Sequence, residues 1–459
     1  MTSPDLSPSA RLICPGCVNA TSSSAVPARS LRLNFGWTLL GNIVYAVTQW
    51  GILVLLARLG SPGAVGQFSL GLAITAPVML FASLQLRGVQ ATDAQLRFHF
   101  QDYGGLRIVT TIVAVSSICG IGCAFYRGET AFTIAMFALS KGVESLSDVV
   151  YGLWQQRERM DLIAQSLMLR GVLALVAVAV CFAVFRTVWA GVCGITLAWS
   201  AVFAAFDVRH GVMVARETGQ AFMPRFSAVR MKQLLRLSLP LGVVNMLISF
   251  NSNVPRYMLS HFRGVSELGV FSALSYILTA GTMVVGALGQ SATPRLALYA
   301  FQGKRQKFRG LSCRLVLIGM MLGLCGVLAA LIFGRQLITL LYGREYSLNG
   351  HLLPWLMIAA TVVYMASLGG YSLTAARYFQ VQMPLFSLVT VLTLVFCYLM
   401  VKPGGAVGAA KAVALVGFIQ LAGTMAILRY APIGKPGKLF MKTDALPLQE
   451  WIEYAPKAR

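Results

Sequence analysis

Residues 35 to 428 form one apolar stretch after another, each about as long as a helix must be to cross a lipid bilayer. A hydrocarbon core about 30 Å thick takes roughly 20 helical residues at about 1.5 Å each. Inside lipid the backbone has no water to bond, so such stretches fold as helices that satisfy their own amides. The predicted spans are 35–58, 68–86, 106–126, 131–155, 163–185, 188–207, 237–260, 268–290, 311–333, 351–375, 384–401 and 405–428. The expected fold is therefore an all-α polytopic membrane protein of about twelve transmembrane helices. With 57% apolar and 12% charged residues and a mean hydropathy of +0.71, a soluble domain would lack polar surface. The formal charge of +23 is read as the bias of membrane proteins toward basic cytoplasmic loops, and no nucleic-acid partner is expected.

That bias sets the orientation. With the N-terminus inside, the outside loops hold only Arg58, Arg127, Arg186, Arg263, Arg335, Arg344 and Lys402. The richest stretches, Arg209 to Arg236 and Arg295 to Arg309, both fall inside. Residues 1–34, rich in Ser, Pro and Ala, read as a disordered cytoplasmic tail, and 429–459 as a second cytoplasmic tail. Seven of the nine cysteines lie in apolar segments and behave as small hydrophobes, while Cys14 and Cys17 form a single CxxC, too little for a zinc site.

A repeat is visible at an offset of 203 residues: Gly66-Gln67-Phe68-Ser69 matches Gly269-Val270-Phe271-Ser272, and Asn42 matches Asn245. Six spans separate the copies, so both halves enter the membrane from the same side as parallel repeats around a central cavity. The halves are 35–207 and 237–428, joined by a basic cytoplasmic linker at 208–236.

The segment Arg58-Leu59-Gly60-Ser61-Pro62-Gly63-Ala64-Val65-Gly66-Gln67-Phe68-Ser69 resembles the opening signature of bacterial polysaccharide exporters and Wzx-type O-antigen flippases. These belong to the multidrug, oligosaccharidyl-lipid and polysaccharide flippase superfamily. The similarity continues through Lys141-Gly142-Val143-Glu144-Ser145-Leu146-Ser147-Asp148 and Arg157-Glu158-Arg159-Met160, and recurs at 237–295. The resemblance implies alternating-access transport of a polyprenyl-diphosphate-linked oligosaccharide across the bacterial inner membrane for surface polysaccharide synthesis. It also implies a basic cavity that receives the diphosphate, for which Arg58, Arg87, Arg170 and Arg256 are the best matches. Partners on this reading are the lipid-linked oligosaccharide, membrane lipids, and the polymerase and glycosyltransferases of the same pathway.

The residues themselves single out the fourth span. Lys141, Glu144, Asp148, Tyr151 and Gln155 fall within an arc of about 80° on a helix turning about 100° per residue. Charges at mid-bilayer cost about 2.5 to 3.5 kcal/mol each, so this stripe must face protein or water. Two readings stay open: a cavity lining that takes part in ion coupling, or an internal ion pair of Lys141 with Glu144 or Asp148. The first and seventh spans carry seams with Asn42 and Gln49, and with Asn245, Ser249, Ser252, Asn253 and Arg256. Each Asn is equally a sugar-facing group or interhelical glue. Pro240 and Pro255 predict a kink or local unwinding of the seventh span.

No GxxxxGK[ST] loop and no HExxH spacing occur, so neither ATP hydrolysis nor a metal site is expected. No outside loop exceeds about 20 residues, which disfavours an enzyme of the polymerase type. No cofactor is expected; the driving force is left open between membrane voltage and a H⁺ or Na⁺ gradient. An ion-coupled multidrug exporter, with an acidic cavity around Glu144 and Asp148, is the alternative, and a membrane polymerase of lipid-linked sugars the second.

Overall fold

The computed structural model describes residues 31–93, 97–217, 219–376 and 379–430. Cys14, Cys17 and nearly all of both expected tails lie outside them. Among the described residues the regular structure is helical: α1 (Leu31–Leu59), α2 (Pro62–Ser83), α3 (Leu86–Thr92), α4 (Phe100–Phe125), α5 (Glu129–Gln156), α6 (Met160–Phe185), α7 (Val188–Val202), α8 (Val208–Glu217), α9 (Ala228–Arg263), α10 (Val265–Phe301), α11 (Arg305–Tyr342), α12 (Arg344–Ser347), α13 (Leu352–Ala375) and α14 (Phe379–Tyr430).

Ten helices among the described residues are long and apolar enough to cross a membrane. The helix α5 is not one of them, because it carries the charged stripe. One of the ten lies in α14, whose backbone is broken at Gly405 (φ 53°), where the expected spans 384–401 and 405–428 meet. Local chemistry sets several ends. Ser61 caps α2 by accepting from the Ala64 amide at 3.3 Å, and Pro62 follows at the first helical position, where its missing N–H costs nothing. The helices α9, α10 and α11 run for 36, 37 and 38 residues, beyond the expected spans, so part of the expected linker is helical. The expected unwinding of the seventh span is not found. The helix α9 is continuous through Pro240 and Pro255, since neighbours along α2 and α14 hold the chain where each proline removes one hydrogen bond.

The same helix pairings recur in the two halves. In the first, α1 packs on α6, α2 on α4 and α5, and α4 on α5; in the second, α9 packs on α14, α10 on α11 and α13, and α11 on α13. The halves meet mainly where α2 crosses α10 and α9. The crossing is reciprocal. A methyl group on Gly66 would overlap the Val265 carbonyl, and one on Gly269 would overlap the Pro62 carbonyl, so positions 62 and 66 meet 269 and 265, their own counterparts at the offset of 203. In lipid, helices gain little from hiding apolar surface, so such close backbone approach through small residues is what holds them together.

Where α1 ends and α2 and α10 begin, here termed the far face, one continuous core joins Ile52, Leu56, Phe68 and Phe182 to Val254, Leu259, Phe271, Ile338 and Tyr342. At the opposite, basic face it divides. Leu84, Leu86, Tyr103, Val150, Trp154 and Leu234 form one core, and Val285, Leu296, Phe308, Leu368 and Leu428 another. The bundle is thus joined at one face and split at the other. The split is lopsided, because α2 packs along α9 while its counterpart pair, α1 and α10, barely touches.

Replacing Gly66 with Val should force α2 and α10 apart. A cysteine placed at Ser272, fully buried in the present structure, should then react with a membrane-impermeant maleimide, in a background freed of the nine native cysteines. Equal protection with and without the Gly66→Val change would refute the role given to this crossing.

Candidate functional site

The stripe on α5 is the centre of a polar network inside the first half. At its upper end Lys141 Nζ lies 2.6 Å from Glu144 Oε2, and the Tyr45 hydroxyl of α1 donates to Glu144 Oε1 at 3.5 Å. The ammonium also sits 5.3 Å from the Trp199 ring centroid, close enough for a cation–π contact. One turn on, Asp148 receives two arginines: Arg107 Nη2 at 2.6 Å, and Arg87 Nη1 at 3.6 Å. Arg87 also donates from Nε to Gln155 Oε1 at 2.9 Å and lies 5.5 Å from the Tyr151 ring centroid.

Behind the stripe is a fully enclosed pair, Arg170 of α6 with Asp207, at 3.0 Å and with side chains 2% and 0% exposed. Ser166 donates to the other Asp207 oxygen at 2.6 Å and shares a 2.6 Å hydrogen bond with Tyr151, and Arg170 also donates to Ser147. Asp207 closes a π-helical turn, Phe203–Asp207, between α7 and α8. Such wide turns shift the register of a helix and often mark functional positions; here the turn carries Asp207 at its end.

In the second half the polar groups are fewer. Arg256 donates from Nη1 to Asn253 Oδ1 at 2.6 Å, and Asn253 Nδ2 donates to the Ser249 carbonyl at 2.8 Å. Among the described residues no carboxylate lies within ion-pair distance of Arg256, which is half-buried. The next residue, Tyr257, donates across to the Ala73 carbonyl of α2. Arg256 is therefore an uncompensated cation close to the joint between the halves.

Residues 31–299 match the polysaccharide biosynthesis protein family. The chain belongs to that family. It is 26% identical over 390 residues to the capsular polysaccharide biosynthesis protein CapF of Staphylococcus aureus, covering 84% of this chain and 96% of CapF. Its fold is similar to that of solved membrane transporters. An inward-facing multidrug resistance MATE transporter superposes with a TM-score of 0.68 at 13% identity, covering 85% of this chain and 98% of that one. The lipid II flippase MurJ, in an inward closed conformation, gives 0.67 at 11% identity, covering 87% of each.

Of the residues singled out from the sequence of this family member, Arg87, Lys141, Glu144, Asp148, Tyr151, Gln155 and Arg170 are brought together. Arg256 and Asn253 form a separate pair. Arg170 is not open to a ligand, because its charge is enclosed and matched by Asp207. Arg58 stands apart on the far face, its guanidinium donating to the carbonyls of Leu341 at 3.0 Å and Thr339 at 3.4 Å, and to that of Leu340. It caps the C-terminal end of α11, an arrangement favourable to both the orphan carbonyls and the helix dipole. Asn42 is exposed and spends its amide on the Thr38 carbonyl of its own helix, at 2.7 Å. Gln49 and Asn245 each keep a buried side-chain amide nitrogen without a partner.

The sequence reading passes over Arg107, Asp207 and Tyr45. Arg107 and Asp207 stand at the ends of apolar runs, where a charge looks like an ordinary interfacial residue. The network then holds four cations, Arg87, Arg107, Lys141 and Arg170, against three carboxylates, Glu144, Asp148 and Asp207. The stripe alone is acidic by one charge; with its neighbours the site is basic by one.

Breaking the enclosed pair leaves an uncompensated charge, at a cost of about 3 to 5 kcal/mol. Arg170→Met and Asp207→Ala should each lower the melting temperature of the detergent-purified protein, with the double variant less affected than the sum. Additive losses would show that the two charges do not depend on one another.

Proposed function

We propose that this protein is a carrier that moves a polyprenyl-diphosphate-linked oligosaccharide from the cytoplasmic to the outer leaflet of a bacterial inner membrane. The observation that carries the reading is the single core at the far face that divides into two at the basic face. A bundle joined at one end and split at the other offers a cleft to one side of the membrane, as alternating access requires. By the positive-inside rule the basic face is cytoplasmic, with both termini there. The two arms of α14 and the charged α5 bring the number of crossings to twelve, as two parallel repeats of six.

Sugar hydroxyls and phosphates cannot cross hydrocarbon unaided, whereas an isoprenoid tail belongs in it. The helices α1 and α10 touch little, and on this reading the tail stays in lipid by passing between them while the head group enters the cleft. Arg256 is the cation best suited to meet the diphosphate, being half-buried and without a carboxylate of its own. No bound cofactor or nucleotide is needed: moving negative charge outward along an inside-negative potential gains about 2.3 kcal/mol per charge per 100 mV. A H⁺ or Na⁺ gradient acting through Glu144 or Asp148 is a second source. The family assignment and the name of the Staphylococcus aureus relative support a role beside polymerases and glycosyltransferases of a surface polysaccharide pathway. The excess of basic over acidic groups in the network argues against a cationic drug as cargo.

Deleting the gene should leave lipid-linked sugar intermediates on the cytoplasmic leaflet. Intermediates that cross normally yet fail to lengthen would instead identify a polymerase. In a complemented strain Arg256→Ala should cut export at least tenfold with membrane insertion intact; undiminished export would remove Arg256 from the mechanism.

A further inference from the structure

We infer that the segment joining the two halves is a binding surface for anionic glycerophospholipid of the cytoplasmic leaflet, with Phe226 set into the leaflet and Arg225, Lys232 and Arg236 on the phosphates. The inference goes beyond the carrier reading and borrows from it only the cytoplasmic placement of the basic face. The expected linker folds as α8, a strap at 219–227 and the first turns of α9. The strap is tied to the start of α4. The Arg225 amide donates to the Gln101 carbonyl at 2.9 Å, and the Phe100 amide donates to Gln220 Oε1 at 3.0 Å. The Phe222 ring stacks on that of Phe100 at 4.9 Å, and Pro224 lies over Gly104. A methyl group on Gly105 would overlap the Arg225 carbonyl, so the backbone of the strap passes directly over α4. Because the expected span of α4 begins at residue 106, these contacts hold the strap at the level where the chain enters the bilayer.

Two kinds of side chain are turned outward there. Met223, Phe226 and Val229 are 78%, 63% and 68% exposed, large apolar groups at the membrane boundary. Arg225, Lys232 and Arg236 are exposed among them, and among the described residues no carboxylate lies within ion-pair distance of any of the three. On α9, Val229, Lys232 and Arg236 fall on the side opposite buried Leu234 and Ser238, so apolar and cationic groups share one face. From 218 to 266 the sequence holds no Asp or Glu, which leaves that face with a single sign of charge. Arg230 serves differently, bracing the strap by donating to the Arg97 carbonyl at 3.1 Å. A basic loop that only orients insertion needs neither exposed large apolar groups nor a fixed depth. A surface lying in the headgroup layer needs both, and its cations select anionic lipid. An acidic protein would match the charges and leave the apolar groups at that depth unaccounted for.

The test places the full-length protein, with Phe226→Trp as a fluorescent reporter, in nanodiscs whose two leaflets share one composition, so that the result does not depend on orientation. Lipid brominated near the head of its chains is supplied as phosphatidylglycerol or as phosphatidylcholine at equal mole fraction, and quenching is read as the increment over protein without the reporter. Phosphatidylglycerol should be enriched about fivefold around the reporter, the factor that one cation near an anionic surface provides. The enrichment should vanish in about 1 M salt, where the screening length falls to about 3 Å. Arg225→Gln combined with Lys232→Gln and Arg236→Gln should bring the two lipids to parity while the phosphatidylcholine increment stays. Lys232→Gln with Arg236→Gln, which leaves the hold of the strap on α4 untouched, should lower the enrichment and repeats the test should the triple variant misfold. Equal quenching by the two lipids, or an enrichment that survives the triple variant, overturns the proposal. No increment with either lipid overturns it as well, and puts the strap in water as a face for an acidic protein. The cargo is decided separately, by Arg256→Ala and by gene deletion.

Discussion

Backbone lies against backbone where α2 crosses α10, and the shape of the molecule follows from that contact. Gly66 and Gly269 leave no side chain between the helices, so the two halves close on each other at the far face and share one core there. Toward the basic face α2 still packs along α9, with Gly242 against Phe81 and Leu84, but the α1–α10 pair barely touches and the core divides. A hinge-like bundle needs one tight point and one loose end, and two glycines at corresponding positions supply the first. Because the contact is reciprocal, neither half is the fixed frame for the other.

The second constraint is electrostatic. Charged groups within an apolar bundle persist when matched and hydrogen-bonded, and the first half meets this with ion pairs braced by hydroxyl and aromatic groups. The second half has no comparable network among the described residues; its Arg256 leans on the amide oxygen of Asn253. The halves are alike in helix packing and unlike in charge, which divides their work between a braced, nearly neutral side and a side with an unmatched cation.

Much of this was legible beforehand because lipid imposes a simple grammar. The length of apolar runs gave the helices, and a period near 3.6 gave the α5 stripe residue by residue. Partners across helices were not legible, since nothing local ties Arg107 to Asp148 or Arg170 to Asp207. The long extensions of α9, α10 and α11 are not legible, because their charged ends read as loops. The helix α3, with only seven residues and a strained entry, has no periodic signal to betray it. Arg58 is a further case, for its place at the end of a span gave no hint that helix-end carbonyls would bind it.

Other arginines on the far face share that fate. Arg186 donates to the Leu59 carbonyl at 3.1 Å and Arg263 to the Pro403 carbonyl at 2.7 Å, as Arg58 does to the end of α11. Each sits where a helix finishes with its partial negative charge outward, about half an elementary charge, so its own field is partly offset. A tally of residues therefore understates how lopsided the folded protein is electrically: the rim facing away from the basic surface is quieter than its arginines imply.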